Sequence, residues 1–241
     1  MSIAEKLQTI AENEQRVFDA GYAKGQAEGG GDNYYDTFWD DAQELGARIN
    51  YRYGFSGYSW TDASFKPKYN IVPSAYNAIY MFISSRVTNL KQTLLDCGVA
   101  LDLSQVINAL SMFEESKVTH IPHLDLGNAT ILNNIFTKCE SLVSVDGINI
   151  SATAVFSNTS FQGCESLEEI RFEGVLGTNG LNMQWSTKLS KASITSIINA
   201  LSTTTEGLTV TLSKTAKEAA FTADEWEALE QTKPKWTISL V

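Results

Sequence analysis

One pattern limits the fold of this chain more than any other. An aromatic anchor, a small or sulfur-bearing residue and an apolar ladder recur as Phe113-Glu-Glu-Ser116-Lys-Val118, Phe136-Thr-Lys-Cys139-Glu-Ser-Leu142 and Phe161-Gln-Gly-Cys164-Glu-Ser-Leu167. The anchors are 23 and then 25 residues apart, a period that means stacked units in place of one closed domain. Behind each anchor the apolar residues keep a phase: Val118, Ile121, Leu124, Leu126, then Leu142, Val145, Ile148, Ile150. The third unit has Leu167, Ile170 and Phe172 before a one-residue change of register. Each ladder turns a corner and ends in a short strand. Side chains alternate along a strand, so Leu124 and Leu126 point inward while His123 and Asp125 face out, and Ile148 and Ile150 leave Gly147 and Asn149 outside. One unit alone buries too little apolar surface to offset the conformational entropy of ordering it, so neighbours and end caps are required.

The motif Phe-x-x-Cys-x-x-Leu-x-x-Val/Ile, at Phe136-Cys139-Leu142-Val145 and Phe161-Cys164-Leu167-Ile170, resembles the BspA-like leucine-rich repeats of bacterial surface and phage-encoded proteins. The Pro122-x-Leu124-x-Leu126 strand fits the same pattern, and the resemblance covers roughly residues 78–180. It implies an α/β leucine-rich-repeat solenoid with short parallel strands, used for adhesion or recognition, with no catalytic residues to carry over. Serine stands at Ser85 and Ser116 where cysteine is expected, and Phe82 precedes Phe113 by 31 residues, so the first units depart from the pattern.

Four segments follow. Residues 1–31 read as a separate amphipathic helix, with Ile3, Leu7, Ile10 and Val17 in one stripe, followed by a Gly29-Gly30-Gly31 joint. That stripe suits a coiled coil or homo-oligomer helix through residues 2–24 and equally a helix packed on its own domain; Glu14 interrupts the seam. Residues 32–80 are dense in tyrosine, tryptophan and phenylalanine and read as an N-terminal cap, with a glycan platform as the alternative. Phe55 lies 27 residues before Phe82 and keeps its local spacing, as in a worn-down repeat. Residues 81–190 hold the repeats, and 191–241 a C-terminal α/β repeat and cap.

A short helix is expected over 104–113 with Ser104 as N-cap. Its pentapeptide Ile107-Asn-Ala-Leu-Ser111 returns unchanged as Ile198-Asn-Ala-Leu-Ser202. Leu208–Leu212 and Trp236–Leu240 alternate as strands, with a helix capped by Thr222 or Asp224 between them.

The formal charge of −10, with 18 basic residues in no cluster, argues against nucleic acid as partner. No apolar run is long enough to span a membrane, and the N-terminus does not read as a signal peptide. A virion-associated or extracellular, cell-surface setting is the expectation. His120, His123 and Asp125 are the residues nearest to a metal set, but alternation puts His123 and Asp125 on the strand face while His120 precedes the proline bend, and no fourth ligand is evident. Glycine-rich phosphate loops and nucleophile elbows are missing, so neither a cofactor nor an enzyme is expected. Cys139 and Cys164 occupy equivalent places and read as a buried reduced pair. The residues left to choose a protein or glycan partner are His123, Asp125, Asn149, Arg171 and Glu173; a structural or assembly role without a ligand is the alternative.

Overall fold

A computed structural model describes residues 51, 54–56, 60–73 and 78–241. The helix expected over residues 2–24, the expected glycine joint and most of the aromatic-rich segment lie outside the described residues. Among the described residues the architecture is mixed α/β, with short parallel strands in two sheets, four helices and no closed barrel.

A file of phenylalanines runs through the centre. Phe55, Phe82, Phe113, Phe136 and Phe161 follow one another at ring-centroid separations of 5.0, 5.2, 5.7 and 5.2 Å. All five are buried. The backbone repeats with them. The N–H groups of Phe55, Phe82, Phe113 and Phe136 donate to the carbonyls of Met81, Met112, Ile135 and Ser160, each the residue just before the next anchor. Two residues past each of the last four anchors the chain is left-handed, at Ser84 (φ 53°), Glu115 (59°), Lys138 (57°) and Gly163 (79°). Non-glycine residues resist that region, but there the N–H groups of Ser84, Glu115 and Lys138 reach Glu114, Thr137 and Gln162 of the next turn. Interlayer hydrogen bonds hold the strained conformation.

The same accounting overturns the expected helix over 104–113. The segment is a succession of turns with a bridge at Asn108, and Ser104 caps nothing helical. Ala109, Ser111 and Phe113 direct their N–H groups outward to Ile131, Asn133 and Ile135. An α-helix would have spent them on its own carbonyls. The identical pentapeptide at 198–202 does close a helix, so its conformation is set by the neighbouring layer.

Helix α1 (Leu90–Cys97), capped by Asn89 and Gly98, fills the long interval between Phe82 and Phe113. Strands β1 (His120–Ile121) and β2 (Leu124–Leu126) lie end to end beside β3 (Ser144–Ile150), and β4 (Glu169–Gly174) pairs with its other edge, all parallel. The change of register is a bulge, in which Asp146 and Gly147 of β3 stand against Arg171 alone. The outer edge of β4 is closed by α2 (Lys191–Ala200), whose Ser193 and Ser196 hydroxyls accept from Ile170 N (2.9 Å) and Phe172 N (3.2 Å). A helix thus satisfies a strand edge through two side chains.

Strand β5 (Asn182–Met183) begins the second sheet, followed by β6 (Leu208–Leu212) and β7 (Trp236–Leu240), with α3 (Lys214–Ala220) and α4 (Ala223–Glu230) between the last two. Thr222 caps α4 through a capping box with Glu225, which decides between Thr222 and Asp224. Lys233 is nearly buried and holds the C-terminal end of α2, donating to Asn199 O (2.9 Å) and Leu201 O (2.6 Å), while Trp236 Nε1 donates to Ser202 O. At the other end, Tyr51, Phe55, Trp60 and Phe65 form a buried, mostly edge-to-face cluster.

Candidate functional site

The outward residues of β1–β4 are positioned by the buried ones between them. Leu124, Leu126, Ile148, Ile150, Ile170 and Phe172 face the core, which turns Asp125, Asn149 and Glu173 to the other side in one register row. Asn149 Nδ2 donates to Asp125 Oδ1 at 2.8 Å, and Gly127 N adds a longer bond of 3.3 Å to the same oxygen. One row away, His123 Nε2 lies 3.1 Å from Glu173 Oε2, and Arg171 Nη2 lies 2.7 Å from Glu173 Oε1. All five residues expected at the site therefore meet on one face.

Gly147 departs from the expectation. It is buried beneath its neighbours' side chains, not open on the face. A Cβ there would stand 2.8 Å from His123 Cδ2, 3.1 Å from Glu173 Oε1 and 3.4 Å from Arg171 Nη2. The missing side chain is the notch into which the imidazole folds.

Burial tends to raise the Glu173 pKa, but the His123 hydrogen bond, followed by the charges of His123 and Arg171, outweighs it and holds the carboxyl below its ordinary value. Lys91, at the start of α1, reaches Asp146 with 2.9 Å to each oxygen. Glu169 Oε2 accepts from Ser190 (2.9 Å) and Ser193 (3.2 Å). Alternation along Glu169-Ile-Arg-Phe-Glu173 marks Glu169 as outward, so that residue was findable. No sequence signal links Lys91 to a carboxylate 55 positions away.

His120 does not join His123. Its Nδ1 contacts Thr119 Oγ1 at 2.8 Å, while His123 turns to Glu173. Among the described residues no three or more histidine, cysteine or acidic side chains are grouped to hold a metal ion. The three cysteines are free, and the thiols of Cys139 and Cys164 donate to the carbonyls of Phe113 and Phe136 across the layers. Burial pushes the Cys139 pKa up to about 12, far from nucleophilic use. No described helix is long and apolar enough to cross a membrane.

Set beside known proteins, the chain matches no family model, no curated protein and no solved structure.

Proposed function

We propose that this chain is a non-enzymatic recognition module of the leucine-rich-repeat type that binds a protein through the outer face of β1–β4. One observation carries the reading: side chains from three successive layers, far apart in sequence, are fixed on one face in two hydrogen-bonded sets, Asp125 with Asn149 and, over Gly147, His123 and Arg171 with Glu173, on a backbone cross-linked layer to layer. Pre-ordered side chains lose less entropy on binding, which favours recognition.

Of the two ligand classes open from sequence, protein has the better support. Sugar rings are held on exposed aromatic faces. Of the described aromatic residues of the N-terminal segment, Tyr51, Phe55, Trp60 and Phe65 are buried and Tyr69 and Tyr80 are partly so, and the outward residues of the strands are polar. A setting on a bacterial cell surface or phage particle belongs to the same reading and rests on the motif resemblance.

The test screens the full chain against bacterial envelope proteins and a glycan array, with the double variant His123→Ala, Asp125→Ala alongside. Saturable protein binding that the variant loses is the expected result. Saturable binding that survives the double substitution puts the interface elsewhere, and binding to nothing leaves the ligand-free structural role.

A further inference from the structure

We infer that the partner of this face is a cationic protein segment, one bearing lysine and arginine; the inference rests on the recognition reading above. The charge on the face is unequal and its distribution is built. Four carboxylates stand there, Asp125, Asp146, Glu169 and Glu173, against two permanent cations, Lys91 and Arg171. Both cations are engaged, Lys91 by both oxygens of Asp146 and Arg171 by Glu173.

The other two carboxylates are held by neutral donors. Asp125 takes the Asn149 amide and Gly127 N–H, and Glu169 takes the Ser190 and Ser193 hydroxyls. Amides and hydroxyls fix a carboxylate without cancelling its charge. Asp125 Oδ2 and Glu169 Oε1 have no donor among the described residues, so each has an acceptor to offer a charge-assisted bond.

Their spacing selects the shape of the partner. Asp125 lies on β2 and Glu169 on β4, two strand spacings apart and four residues out of register. The diagonal is roughly 16 Å, the reach of about five extended residues. Two basic side chains at such a separation on an extended segment would meet both anions while crossing the neutralised His123, Arg171, Glu173 group. The formal charge of −10 on the whole chain would steer such a segment toward it.

The experiment titrates the full chain with an oligolysine peptide, and with oligoglutamate of equal length, by calorimetry and by amide chemical-shift mapping. Oligolysine is expected to bind, to shift resonances of residues 120–126, 144–150 and 169–174, and to weaken as ionic strength rises. Asp125→Asn with Glu169→Gln should weaken it about tenfold, while Glu227→Gln with Glu230→Gln on α4 removes the same charge without effect. Equal weakening by the two pairs means attraction to net charge alone and overturns the inference, as does a preference for oligoglutamate. If a protein ligand is lost on His123→Ala, Asp125→Ala while oligolysine neither binds nor competes, recognition stands and the cationic partner falls.

Discussion

Two glycines of the same sheet should respond differently to alanine. At Gly147 the backbone is not left-handed, and an added Cβ meets only the far ends of side chains, the nearest being His123 Cδ2 at 2.8 Å. Ordinary contact returns if the imidazole withdraws by about 0.7 Å, which stretches its 3.1 Å approach to Glu173. Gly147→Ala gains about 0.4–1 kcal/mol by restricting the unfolded chain, and loosening an exposed pair costs about as much or less. Stability should stay within about 1 kcal/mol, and Tm within about 4 °C. At Gly174 the φ is 82° and a Cβ would overlap Ile150 O, a backbone atom of the neighbouring strand that cannot swing aside. Gly174→Ala should cost more than about 2 kcal/mol and lower Tm by more than about 5 °C. Thermal melts of both variants, with imidazole nitrogen spectra of His123, read the outcome. If Gly147→Ala melts as low as Gly174→Ala, or leaves the His123 signals unchanged, the notch is not what shapes the array.

Ser196→Ala should strip the Phe172 N–H of its acceptor at the closed edge of β4, costing about 1–3 kcal/mol in urea unfolding; an unchanged midpoint would show that the edge needs no such partner. Of the three thiols, only Cys97 should react with a disulfide reagent in the folded protein, with Cys139 and Cys164 following only on denaturation. Because the folded-state pKa of Glu173 is lowered, its contribution is present above the ordinary carboxylate value and fades as pH falls through the folded one. The Tm gap between wild type and Glu173→Gln, small because the group is half exposed, should therefore close between about pH 5 and pH 3; a gap independent of pH would count against the His123 and Arg171 contacts.

The phenylalanine file and the three strand ladders were legible because they depend on local pattern. Phe113, Phe136 and Phe161 recur at a fixed interval, and period-two alternation separates Leu124 from Asp125 and Ile148 from Asn149 whatever the surroundings. That alternation also placed the five site residues on one face. It marks Glu169 as outward too, but did not reveal Gly147 as their floor, nor the pairing of Lys91 with Asp146 beside them, because each depends on residues tens of positions away.

The expected helix at 104–113 failed for the same reason. Ile107–Ser111 and Ile198–Ser202 carry identical side chains, and only the adjacent layer decides whether their N–H groups turn inward or across. By itself the sequence determined the repeat, its inward and outward residues and its charge, since these follow from chemistry along the chain. Tertiary structure decided which backbone bonds run between layers, where a helix replaces a strand and which charges pair, since those energies exist only when distant segments meet.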